Sequence, residues 1–155
     1  MSRLLIYDSY LKMIKNAVGT KMFRNLYLEK EGRKIDITKN GSKEGYFSCA
    51  FFVSNVLLLW GLISKGHATV ESTIKDIKKN GWKKIPKNKV KPGDVIVWEK
   101  TPAPDGTLHL HNGFYIGNKK AISNDSEKGM PVIHKWEFGG KRKIIAIYTH
   151  SRLKA

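Results

Sequence analysis

The chain reads as an α+β fold, with helices in its first half packed on an antiparallel β-sheet formed by its second half. Three observations predict this. Up to about residue 80 the long apolar patterns recur at helical spacing, whereas from Trp82 onward they come as short runs bounded by Gly, Pro and Asn. Between them, Ser48 to Ile63 is apolar almost all round, and a helix of that kind must be enclosed by other elements. Helices and strands segregated into successive blocks, rather than alternating, are the mark of an α+β chain. With 155 residues and no break in pattern, a single domain over 1–155 is expected. A chain of that size buries most of its unfolded surface without covalent staples.

Taken in order, Leu4, Leu5, Tyr7, Leu11, Ile14 and Val18 predict an amphipathic first helix that stops near Gly19. Phe23 to Leu28 and Lys34 to Ile37 are short apolar pieces separated by Glu31-Gly32-Arg33, and Asn40-Gly41 is a turn dipeptide. Irregular chain with a small hairpin is expected there. The apolar helix follows, with Ser48 placed to cap it by accepting from free backbone N–H groups. After Gly61 and the Lys65-Gly66 break, His67 falls on a loop and reads as a surface histidine without a partner. Thr69 caps a third helix with apolar positions Val70, Ile74 and Ile77, closing at Asn80-Gly81. Lys91-Pro92-Gly93-Asp94 is a turn, and Val95 to Trp98 suits a strand buried on both faces. Thr101 to Gly106 carries two prolines and reads as a rigid loop. His109 to Ile116, a turn at Gly117 to Lys120, and Ala121 to Asn124 form a hairpin; Val132 to Trp136 and Ile144 to Tyr148 add two strands.

Composition excludes several classes. One cysteine forbids an intrachain disulfide and a four-thiolate zinc site. The net charge of +16, from 29 basic and 13 acidic residues, calls for an anionic partner: nucleic acid, acidic lipid or an anionic wall polymer. The run from Cys49 to Ile63 falls short of the roughly 20 residues that cross a bilayer, and Ser54, Asn55 and Gly61 interrupt it, so no membrane span is expected. The first residues lack the apolar run and cleavage site of a secretory signal. The expectation is a mature chain starting at Met1, either cytoplasmic or exported by a route without a signal peptide. There is no solenoid repeat, no cofactor is called for, and a monomer is expected.

Cys49 opens the apolar helix. A thiol there feels the positive end of the peptide dipoles, which predicts a pKa below the reference of about 8.5 and a nucleophilic role. The alternative is that it simply packs, free cysteine being among the most buried residue types.

A cysteine opening a buried helix, then a Pro-Gly-Asp strand, then a histidine opening a hairpin strand resembles the NlpC-type, papain-like cell-wall cysteine peptidases and their CHAP relatives. The family's Cys-Ser-Gly-Phe-Val box appears as Cys49-Ala50-Phe51-Phe52-Val53. Its Pro-Gly-Asp-Leu-Val box appears as Pro92-Gly93-Asp94-Val95-Ile96, and its His-Val-Gly-Ile-Tyr-Ile-Gly box as His111-Asn112-Gly113-Phe114-Tyr115-Ile116-Gly117. The similarity spans about residues 20 to 150. It implies that Cys49 is the nucleophile and His111 its base, with Cys49's own backbone amide helping to hold the oxyanion and Tyr27 or Tyr46 as a second donor.

Two points stay open at this level. His109 and His111 share a strand face and could instead form a metal-type pair with Asp105 as third ligand. The group orienting the imidazole depends on hairpin register. A two-residue turn at Asn118-Lys119 brings Asn124 onto the face of His111, opposite Gly113; a three-residue turn moves Ser123 there. The family's motif has its third polar residue where Ser123 stands, but Asn124 is the better acceptor and is slightly favoured. Phe51, Ser48 and Asn112 depart from the family pattern beside the thiol and the histidine.

The leading expectation is a cysteine hydrolase cutting an amide in peptidoglycan, either in the stem peptide or between glycan and stem. A nucleic-acid-binding module is the alternative suggested by charge interleaved with Trp82, Trp98, Tyr115 and Trp136. A papain-like fold used for acyl transfer or for binding without catalysis is the third.

Overall fold

The computed structural model describes residues 1–155. The elements are α1 (Ile6–Asn16), a hairpin of β1 (Tyr27–Lys30) and β2 (Arg33–Asp36), α2 (Cys49–Leu59), α3 (Val70–Lys79) and six further strands. These are β3 (Lys83–Lys84), β4 (Val95–Pro102), β5 (Leu108–Gly117), β6 (Lys120–Asp125), β7 (Met130–Lys135) and β8 (Ile144–Thr149). They form one antiparallel sheet in the order β3-β8-β4-β5-β6-β7. The α+β class and the helices-then-strands order are as the sequence predicts, and no helix is long and apolar enough to cross a membrane.

Strand alternation gives the sheet two apolar faces. Val95, Val97, Phe114, Ile122 and Tyr148 join Tyr10, Ile14, Phe52, Val56 and Ile77 of the helices in the main core. On the other face Ile96, Trp98, Tyr115, Ala121 and Ile147 form a second cluster, covered by Ile85, Val90, Trp136, Phe138 and Ile144. Val95 to Trp98 is buried on both sides for this reason. Tyr7 and Tyr10 of α1 donate to the carbonyls of Pro92 and Gly93, at 2.8 and 2.7 Å, tying the first helix to the turn that launches β4.

The helix ends differ from one another. Thr69 caps α3 as expected, its hydroxyl accepting from the Ser72 N–H at 3.2 Å. Ser48 does not cap α2: its backbone sits at φ −94°, ψ 5° instead of the extended range a capping residue adopts, and its Oγ is buried without a partner. Helix α2 also stops at Leu59, short of Ile63. Gly61 takes φ +63°, and the N–H groups of Leu62 and Gly61 return to the carbonyls of Leu57 and Leu58, both at 3.0 Å, which is a Schellman closure. Its outer end leaves Leu58 and Leu59 exposed, so this helix is not enclosed all round. Strand β4 runs on to Pro102, through what the sequence predicts as loop, with a register shift between Trp98 and Thr101.

Candidate active site

Cys49 stands partly exposed at the first residue of α2, on the wall of a cleft of about 400 Å³ that is also lined by Tyr46, Phe47, His109, His111 and Arg142. The backbone N–H groups of Asn112 and Ala50 face the sulfur, and the Arg142 guanidinium adds positive charge; all three favour thiolate. Burial is the larger effect and pushes the thiol above its ordinary value, the reverse of the depression expected from the helix terminus. Desolvating a thiolate at this wall outweighs the partial charges that surround it.

His111 lies on β5. The main-core face of that strand carries Leu110 and Phe114, so by period 2 the His111 ring lies on the opposite face, against Trp98 and Phe138 at 5.3 and 5.9 Å between ring centres. His111 nonetheless lines the cleft, and β5 and β6 part before this point. Their ladder pairs Gly117 with Lys120, Tyr115 with Ala121 and Phe114 with Ile122, and from His111 to Asn112 strand β5 is held by β4 alone. His111 is 8% exposed, and burial, followed by the charges of Arg142 and His134, lowers its pKa to about 3. The imidazole is therefore uncharged at neutral pH.

Its Nε2 lies 2.9 Å from Ser123 Oγ. Asn124, the residue favoured for this place from sequence, faces the helices instead and donates to the Gly45 carbonyl at 2.9 Å, where it fixes the loop leading into α2. The turn is the two-residue Asn118-Lys119 type, with φ of 52° and 56°, yet the register is the one expected of a longer turn. An extra residue, Ile116, bulges between Tyr115 and Gly117 and moves every later pair by one. Gly113 makes the approach possible: a Cβ there would lie 2.7 Å from both the Ile122 carbonyl oxygen and Ser123 Cβ.

Behind Ser123 stands His134 of β7, its Nε2 at 2.6 Å from the serine Oγ and its Nδ1 at 2.7 Å from the Lys135 carbonyl oxygen. Sequence reading passed over it, because it reaches Ser123 only through the β6–β7 register, which sets His134 opposite Ala121 on the face that also carries Ser123. Arg142 was missed as well. It donates to the carbonyls of Glu99 and His109, at 3.0 and 2.8 Å, from a turn preceding β8 where nothing in the local pattern sets it apart from the other basic residues.

The remaining candidates fall elsewhere. Tyr27 is exposed on the β1–β2 hairpin under the Lys34 ammonium and does not line the cleft; Tyr46 does. The hydroxyl of Thr107 contacts both Asp105 Oδ1 and His109 Nε2, and no group of three His, Cys, Asp or Glu side chains converges as a ligand set. His67, expected to be a partnerless surface residue, is held by Asp76 at 2.7 Å, with the same carboxylate accepting from the N–H groups of Ser64 and Lys65. Trp82 and Trp98 are buried, donating to the carbonyls of Leu62 and Trp136. They are thus unavailable for the base stacking that a nucleic-acid module would need.

A family profile described as bacteriophage peptidoglycan hydrolase matches residues 35–142, a stretch that contains Cys49, His111, Ser123, His134 and Arg142. No curated protein matches the sequence significantly. Among solved structures, that of NlpC2 from Trichomonas vaginalis has a TM-score of 0.56 at 14% sequence identity, with 96% of this chain and 50% of that chain covered. The chain thus spans about half the length of that protein, and at this identity the likeness is one of fold.

Proposed function

The chain belongs to the bacteriophage peptidoglycan hydrolase family, and from that premise we propose that it cuts an amide bond of peptidoglycan by cysteine catalysis, with Cys49 as nucleophile and His111 as base. The observation that supports the reading is that a helix-terminal thiol and an uncharged imidazole line the same cleft, the imidazole's Nε2 lying 2.9 Å from Ser123 Oγ.

The chemistry follows from the charge states. A thiol held above its ordinary pKa and an imidazole held near 3 rest as a neutral pair, so thiolate forms as attack proceeds. His111 accepts the thiol proton while the sulfur adds to the amide carbonyl, then delivers that proton to the departing amine. Water, deprotonated by the same imidazole, releases the acyl group. The Cys49 backbone N–H, free of an intrahelical partner at the first helical position, is the first oxyanion donor, with the Tyr46 hydroxyl on the same cleft as the second. Arg142 stabilises negative charge on sulfur and disfavours a charged His111. The scissile amide lies in the stem peptide or between glycan and stem.

Purified protein incubated with peptidoglycan is expected to release soluble fragments whose masses identify the amide. Cys49→Ala is expected to release none, and His111→Ala about 10²–10⁴-fold less. Equal release by the wild type and Cys49→Ala, or none by the wild type, overturns the proposal.

A further inference from the structure

We propose that His134 fixes the tautomer of His111 through the Ser123 hydroxyl, and is thereby a positioning residue for the base. The inference rests on the reading of His111 as that base. A serine alone is a poor orienting group, because its hydroxyl can turn either to donate or to accept. Here its freedom is removed by what lies behind it.

One group in the chain has a fixed role. The Lys135 carbonyl oxygen can only accept, so His134 Nδ1, 2.7 Å away, carries a proton. Neutral His134 then presents a lone pair at Nε2, 2.6 Å from Ser123 Oγ, and the single hydroxyl proton of Ser123 goes to it. The oxygen turns a lone pair toward His111, whose Nε2 at 2.9 Å must therefore be the protonated nitrogen. The lone pair of His111 is left on Nδ1, the nitrogen that accepts the thiol proton in the mechanism proposed above. Aromatic neighbours clamp the His134 ring in this orientation. It stacks on Phe138 with ring centres 4.0 Å apart and planes 15° apart, and packs beside Trp98 at 5.6 Å. The same neighbours favour its uncharged form, burial being the largest influence on its proton affinity.

The test reads the tautomer directly and without turnover. In ¹⁵N spectra of the imidazole nitrogens, His111 of the wild type is expected to show the Nε2–H form alone. His134→Phe keeps the stack but removes the acceptor; a mixture of tautomers is expected, with kcat at least about tenfold lower and KM nearly unchanged, short of the roughly 10⁴-fold loss that follows a wrong tautomer in a serine triad. His134→Gln, whose carbonyl oxygen can accept from Ser123, is expected to restore both signals. In a Ser123→Ala background, His134→Phe is expected to have no further effect on kcat, since the link is already cut. An unchanged His111 tautomer in His134→Phe, failure of Gln to rescue, or additive losses in the double variant would overturn the inference. Activity that survives in Cys49→Ala would instead remove the cysteine mechanism, while leaving the tautomer result standing.

Discussion

At Cys49 two influences oppose one another, and their balance sets the reactivity of the free protein. The Asn112 amide, the helix end and Arg142 all stabilise a thiolate, yet burial prevails and the thiol pKa is raised. His111, with its pKa lowered to about 3, is no cation at neutral pH and cannot pair with a resting thiolate. The sign is therefore opposite to that of an enzyme with a preformed thiolate–imidazolium pair. Alkylation of Cys49 by iodoacetamide is expected to be slow at neutral pH and to rise only above the ordinary thiol value of about 8.5. Arg142→Gln removes a cation that favours thiolate, so the inflection is expected to move further toward alkaline pH. An inflection below pH 7, or one that moves down in Arg142→Gln, would contradict this balance.

Among the elements, the two helices entered from polar residues behave differently, and stability can tell them apart. Thr69 caps α3, so Thr69→Ala is expected to destabilise the fold by about 1 kcal/mol. The Ser48 hydroxyl is buried and unpartnered at the head of α2, so Ser48→Ala is expected to be neutral or stabilising, because an unsatisfied polar group is removed from the interior. Midpoints of urea unfolding for the two variants make the comparison; equal losses would mean that Ser48 caps after all. Both residues look alike in sequence, because capping depends on backbone angles that the residue type does not dictate. The β5–β6 hairpin shows the same limit. Its strands and the place of its turn were legible from the Asn118-Lys119 region and the flanking apolar alternation, while the turn's length stayed open between two and three residues. The bulge at Ile116 was not, since nothing in Phe114 to Gly117 announces an extra residue. That one residue decides whether Ser123 or Asn124 meets His111. The carboxylate that holds His67 was also out of sight, because Asp76 reaches back to it from the second turn of α3.

Across the whole molecule, the class and the two-block order were legible because helical and strand periodicities occupy different halves of the chain. The order of strands in the sheet was not, since period-2 alternation says which residues share a face and nothing about which strand is the neighbour. Charge is the other property on this scale. The chain carries a net +16, but the cleft does not share it: among its lining residues Glu71 and Asp105 are acidic and only Arg142 is permanently basic. The excess positive charge therefore lies outside the cleft, where it can draw the protein to an anionic polymer without taking part in bond cleavage. Such attraction is screened by salt, the Debye length falling from about 10 Å at 0.1 M to about 3 Å at 1 M. Cys49→Ala is accordingly expected to sediment with cell-wall sacculi at low salt and to be released progressively toward about 1 M. Wild-type turnover of a small, uncharged wall fragment is expected to stay nearly constant over the same range. Sacculus binding that ignores salt would put recognition in the cleft itself, and a salt-sensitive rate on the uncharged fragment would show that the outer charge reaches the chemical step.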